Sequence, residues 1–276
     1  MTEKRSWLRD LTGPSPAVRF VILGTQRTGT ILLMGLLDSH PEIACTGELF
    51  QHKADMVRCS VRRYRLHVTS SLRERIRYLI SQRSSIQSYL DDVFTTLDAP
   101  AMGFKLMLDQ AVRFPTVLDY LQIHEFKIVH VVRHNLLKTY ISRIRARQTG
   151  VYLSTGSPET VLLHVPVDSL IERLAELEKE QQALQSLLSR LNLDSVTVSY
   201  ESLASQSRES EVERILSFLI VDPEIRLEPR STKITPDDLA QVIANYEEVA
   251  TALSDTAYEH FLGQAVNRGN YAHPSD

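Results

Sequence analysis

The segment VRFVILGTQRTGTILLMGLL (18–37) constrains this chain more than any other. It opens on VRFVILG (18–24), a largely apolar run closed by glycine, and such a run fits a strand buried on both faces, as in a parallel sheet. The residues after it, 28–40, carry Leu33, Leu36 and Leu37 at helical spacing. Between strand and helix, Gly24 and Gly29 bracket a tight turn in which backbone N–H groups converge where the helix begins. Those donors and the helix dipole make a pocket for a phosphate-like anion. Arg27 adds a fixed charge, and Thr28 and Thr30 add hydroxyls.

The strand-then-helix theme recurs. MGFKLML (102–108) and FKIVHVV (126–132) read as further buried strands, each followed by a helix-like stretch, and SVTVSY (195–200) as a later strand with β-branched residues. Strands separated by helices predict an α/β protein, a three-layer α/β/α arrangement with a central, mostly parallel sheet. No repeat, low-complexity tract or linker divides the chain, so 1–276 reads as one domain with a polar leader over 1–17.

Two stretches stand apart. Residues 58–83 hold eight arginines against one acid, Glu74, which reads as a solvated helical face or as an anion-facing flap over a cleft. Over 168–191, Leu170, Leu174, Leu177, Gln181, Leu184, Leu188 and Leu191 recur at steps of four and three. A long helix packed on its own domain is the preferred reading, and a homodimer remains open.

Composition excludes several classes. Lys plus Arg total 31 against 34 acids, a net charge of -3, whereas a nucleic-acid binder carries a basic excess. Cys45 and Cys59 are the only cysteines, so there is no disulfide framework and no four-cysteine zinc site. No apolar run approaches the roughly 18 residues that span a bilayer, so no membrane partner is expected. MTEKRSWLRD (1–10) lacks the apolar core of a secretion signal, and a cytoplasmic location is expected.

A nucleoside triphosphate site would read G-x-x-x-x-G-K-[ST]. Gly24 and Gly29 have that separation, but Thr30 stands where the lysine belongs and Ile31 where the metal-binding hydroxyl belongs. The lysine reaches the terminal phosphates and the hydroxyl holds the metal, so an ordinary kinase or ATPase is disfavoured. The basic residue lies earlier in the loop, as Arg27.

The turn TQRTGT (25–30), followed by LLDSHPEI (36–43) and GELF (47–50), resembles the sulfotransferases that use 3′-phosphoadenosine 5′-phosphosulfate (PAPS), in particular bacterial carbohydrate and small-molecule enzymes such as the nodulation-factor sulfotransferases. The resemblance implies a P-loop NTPase-like fold and a sulfuryl transfer from PAPS, as co-substrate, to a hydroxyl or amine of a small metabolite or saccharide. It assigns the 5′-phosphosulfate to Arg27, Thr28, Gly29 and Thr30, with Gln26 in the same turn. Ile31 departs from subfamilies with a second hydroxyl there. In RHNLLKTYIS (133–142), it assigns the 3′-phosphate to Arg133 and Ser142, since a guanidinium fork clamps a dianion and a hydroxyl caps a remaining oxygen. Tyr200 in VSYESL (198–203) matches a nucleotide-side tyrosine, and Lys233 and NYEEV (245–249) resemble the C-terminal part of bacterial members.

The implied chemistry is an in-line displacement governed by positioning and charge stabilisation. Arg27 would stabilise the departing phosphate. Protein cations can serve there, so no metal is expected. Where cytosolic relatives place a histidine after the second strand, MGFKLML has none, and the glutamate used by some bacterial and glycan enzymes matches Glu48 as general base. Lys105, mid-strand among apolar neighbours, is an expensive place for a charge without a purpose. It would face the sulfuryl group or form a structural ion pair. His130 and His134 straddle a strand end and do not read as metal ligands. A divergent nucleotide kinase and a non-catalytic helical adaptor using the 168–191 seam are the rival readings.

Overall fold

The computed structural model describes residues 18–50, 72–150, 162–228 and 238–263. In chain order these form β1 (Val18–Gly24), α1 (Thr30–Leu37), β2 (Ile43–Glu48), α2 (Leu72–Thr96), β3 (Ala101–Met107), α3 (Leu108–Arg113) and α4 (Pro115–Ile123). Then follow β4 (Lys127–Val132), α5 (Leu136–Thr149), α6 (Leu170–Leu191), β5 (Ser195–Ser199), α7 (Tyr200–Leu203), α8 (Arg208–Phe218) and α9 (Tyr246–Leu253). They gather into two compact units, one of Met1–Val132 and Gln182–Arg230, the other of Arg133–Gln181 and Ser231–Asp276. Lys233, Cys59 and 58–71 of the arginine-rich stretch lie outside the described residues, and of the arginines beyond them only the helical backbone in α2 is described.

In the first unit the strands lie in the order β2-β3-β1-β4-β5, and every neighbouring pair is parallel. Strand side chains alternate between faces, so Phe20 and Ile22 of β1 point one way and Val21 and Leu23 the other. Both directions are covered, which is why β1 is apolar along most of its length. Over Phe20 and Ile22 lie Leu33, Leu36 and Leu37 of α1 with Val212, Ile215 and Leu216 of α8. Over Val21 and Leu23 lie Ile86 and Leu90 of α2, Val117 and Leu121 of α4, and Leu184, Leu187 and Leu191 of α6. Helix, sheet and helix make the expected three layers.

The second unit is helical around Leu137, Ile141, Leu163, Leu170, Leu174 and Val249. Asn135 starts α5: its Oδ1 accepts from Lys138 N at 2.8 Å, and its Nδ2 donates to the Phe261 carbonyl at 3.0 Å. Arg143 on α5 grips Glu180 on α6 with two hydrogen bonds of 2.9 and 2.5 Å.

Three details depart from the sequence reading. β2 is a strand that the apolar runs of the sequence do not announce. SVTVSY loses its last residue, because Tyr200 opens α7. In α6, Leu187 rather than Leu188 is buried alongside Leu184 and Leu191, since a straight helix of 3.6 residues per turn drifts off a strict heptad. The glutamine in that seam has a partner of its own: Gln181 Nε2 donates to the Arg133 carbonyl at 2.7 Å.

Candidate active site

The turn between β1 and α1 is shaped by two left-handed residues. Arg27 has φ 69° and Gly29 has φ 96°. The first is a strained conformation for a residue with a Cβ, costing on the order of 1–2 kcal/mol, and its neighbours must hold it. Part of that support comes from Thr28, fully buried, whose hydroxyl donates to the Thr25 carbonyl at 2.8 Å. That proton braces the loop. Gly29 caps α1 without a side-chain hydrogen bond, and the first turn holds no acidic residue. The helix therefore begins on backbone N–H donors that no side-chain cap serves, at the positive end of its dipole. Thr30, also buried, is its first residue, Gln26 is exposed, and Arg27 is partly exposed.

Close packing explains both glycines. A Cβ on Gly24 would lie 2.7 Å from Thr30 Cγ2 and 3.1 Å from the Val131 carbonyl oxygen of β4. One on Gly29 would lie 2.6 Å from Cδ2 of Tyr200. The Tyr200 ring is thus laid directly against the turn, having been carried there by the carboxyl end of β5.

Glu48 and Lys105 form the second element of the site. Thr46 pairs in register with Phe104 but Glu48 with Lys105, so Gly47 is an extra residue, a bulge. Strict alternation through Gly47 would put Glu48 on the face of Phe104; the bulge instead sets the carboxylate beside Lys105, on the face covered by α1. Lys105 Nζ donates to Glu48 Oε1 at 2.8 Å, and the lysine is 5% exposed. Burying that amine is tolerable because it is paired. Gln110 on α3, absent from the sequence reading, donates through Nε2 to Glu48 Oε2 at 2.6 Å. The signal that could have found it is a glutamine three residues past a strand end, at the third position of a helix, where Gln and Glu reach back to the backbone.

Arg133 and Ser142 belong to the second unit. Arg133 immediately follows β4, Ser142 lies on α5, and both are buried. His130, on β4, is turned away from the α1 face, and its Nδ1 lies 3.2 Å from Thr197 Oγ1. Burial pushes its pKa down to about 4, so the imidazole is neutral at neutral pH. Among the described residues no group of three or more His, Cys, Asp or Glu could hold a metal ion, and no helix is long and apolar enough to cross a membrane.

The turn, Glu48, Lys105 and Tyr200 all lie toward the carboxyl ends of parallel strands, where open α/β sheets bind ligands. Residues 19–224 match the family described as Sulfotransferase family. The chain is similar to a solved sulfotransferase from Alicyclobacillus acidocaldarius, at 14% identity and a TM-score of 0.46, over 90% of this chain and 96% of that one. A search of curated proteins gives no significant match.

Proposed function

We propose that this chain, which belongs to the sulfotransferase family, uses PAPS as its donor and passes the sulfuryl group to a hydroxyl or amine of a small metabolite or saccharide. The observation that carries the donor assignment is the turn itself: left-handed Arg27 and Gly29 feeding an α1 start without a side-chain cap, with Thr30 and Ile31 where a triphosphate site needs lysine and a metal-binding hydroxyl. The anion is held by backbone N–H groups and Arg27. Tyr200, against Gly29, offers its ring to the nucleotide side. Arg133 and Ser142 take the 3′-phosphate, and Lys233, outside the described residues, is a further donor-binding residue by resemblance.

In the transfer, the acceptor oxygen or nitrogen attacks sulfur in line with the bridging oxygen. The new bond to sulfur forms as the sulfur–bridge bond breaks, and its electron pair leaves on the 5′-phosphate, stabilised by Arg27. The acceptor proton goes to Glu48 Oε1. That oxygen accepts from Lys105 at 2.8 Å, so Lys105 turns its donor to a sulfuryl oxygen as Glu48 takes the proton. One rotation of a flexible lysine serves both roles.

The enzyme is proposed to act in the cytoplasm without nucleic-acid or membrane partners. Calorimetric titration with 3′-phosphoadenosine 5′-phosphate against ATP–Mg²⁺ tests the reading. Tight binding of the first supports it; tight binding of ATP–Mg²⁺ alone points to a kinase, and binding of neither to an adaptor.

A further inference from the structure

We infer that Gln110 is a positioning residue that makes Glu48 a one-sided base, confining proton uptake to the oxygen that Lys105 holds. The inference rests on the general-base reading of Glu48 and adds to it a residue and a direction.

Gln110 is buried at 5% exposure, and both ends of its amide are committed. Its Oε1 accepts from the Met107 backbone N–H at 3.3 Å, where α3 starts, and its Nε2 donates to Glu48 Oε2 at 2.6 Å. The two contacts together settle the amide's orientation. Rotated by half a turn, it would set oxygen against carboxylate and NH2 against N–H, repulsive at both ends. Gln110 therefore always donates toward Glu48, and Oε2 always accepts.

The two donors on Glu48 differ in kind. Lys105 is a charged group on a flexible stem, able to redirect a proton toward an incoming anion. Gln110 is neutral and tied to a helix start, so leaving Oε2 would also free the Met107 N–H. The ammonium leaves Oε1 without losing a charged partner once a sulfuryl oxygen takes its place, whereas no incoming group replaces the partners of Gln110, so the acceptor's proton is taken at Oε1. A neutral donor also holds the carboxylate plane without adding a second positive charge, which would weaken the base. Among the described residues, the charged groups on β3, in the turn before α1 and on α3 are Lys105, Arg27, and the exposed Asp109 and Arg113; α1 carries none, and α2, whose Tyr89 packs on Phe50, carries the exposed Asp91 and Asp92.

Two near-isosteric variants test this in the full chain. Gln110→Met keeps the volume and removes the donor. Gln110→Glu keeps an acceptor for Met107 N–H but places a second carboxyl against Oε2, where two carboxyls share one proton. Three readouts are taken: affinity for 3′-phosphoadenosine 5′-phosphate, single-turnover release of sulfate from PAPS with water as acceptor, and the titration midpoint of Glu48 by carboxyl-carbon NMR, assigned with Glu48→Gln. The expected result is unchanged nucleotide affinity in both variants and a turnover roughly 10–100-fold lower, the worth of a hydrogen bond to a charged group. In Gln110→Glu the Glu48 midpoint should rise by about one pH unit or more, carrying the acidic limb of the rate profile to higher pH with it. A wild-type chain that does not bind the nucleotide would sink the functional reading and this one with it. Nucleotide binding and turnover with an unmoved midpoint and wild-type rates in both variants would overturn the inference alone. A lowered melting temperature without change in rate or midpoint would do the same, leaving Gln110 a purely structural helix residue.

Discussion

In the turn between β1 and α1 the functional groups are mainly backbone N–H donors, aimed by φ values of 69° at Arg27 and 96° at Gly29. In the cluster at Glu48 they are side chains from three elements, β2, β3 and α3, aimed by one another through bonds of 2.8 and 2.6 Å. The first arrangement stores strain in the main chain and depends on what each residue permits locally. The second stores cost as buried charge and depends on every partner being present. A backbone site should fail when a conformation is forbidden, a side-chain cluster when one donor or acceptor is removed. The proposed division of labour follows: the turn holds the donor, and the cluster moves the proton.

The largest effect should come from Glu48→Gln, which keeps the size and removes the basicity. Turnover should fall by about 10²–10⁴-fold while affinity for 3′-phosphoadenosine 5′-phosphate stays within a few-fold. The acidic limb of the rate profile should vanish, because no carboxylate remains to be protonated at low pH. Near-normal turnover would transfer the base role to Lys105 or a histidine and break the comparison.

Arg133→Ala tests the donor half of that division. Donor affinity should drop by about 2–4 kcal/mol through loss of a charge-assisted contact. Adenosine 5′-phosphosulfate, which has no 3′-phosphate, should be affected far less in competition measurements. Equal losses for both nucleotides would make Arg133 a support of the fold.

His130 provides a control on the far face of the sheet. The folded imidazole stays neutral down to about pH 4, whereas the unfolded chain protonates it near 6.5. As pH falls through that window the unfolded state gains a proton the folded state lacks, and stability declines by up to about 3 kcal/mol. His130→Val should flatten this part of the pH dependence in urea unfolding and leave nucleotide affinity alone. An unchanged acid profile would show that His130 protonates in place.

The smallest effect is expected from Gly29→Ala. A Cβ there meets Tyr200 at 2.6 Å and forces φ 96° on a residue that resists it. A loss of about 1–3 kcal/mol is expected in stability, nucleotide affinity or both, by thermal melting and calorimetry. A variant indistinguishable from wild type would mean the left-handed geometry is dispensable.

Much of the scaffold was legible because its signals are local. VRFVILG is a strand over its whole length, and the strands read at 102–108, 126–132 and 195–200 lie within one residue of β3, β4 and β5 at each end. β2 was harder to read as a strand: IACTGE is an edge strand paired on one side, with a glycine bulge that breaks the alternation a strand is recognised by. Tyr200 was expected beside the nucleotide, and the contact with Gly29 supplies a reason within this chain, one that depends on β5 ending beside a turn some 170 residues earlier in the chain.

The sequence by itself determined the parallel α/β scaffold, the glycine-bracketed turn between β1 and α1, and the mid-strand charge at Lys105 that called for a partner. Apolar period, glycine placement and helix starts act over a few residues, and their physics is written in adjacent letters. Only the tertiary structure decided what Lys105 pairs with, that a one-residue bulge at Gly47 brings Glu48 to its face, and that Gln110 closes the trio. Those outcomes depend on strand register and on which helix follows which strand end. Register is set by the burial of whole faces rather than by any one residue. A glutamine at position 110 looks like any surface glutamine until the sheet places a carboxylate 2.6 Å from its amide.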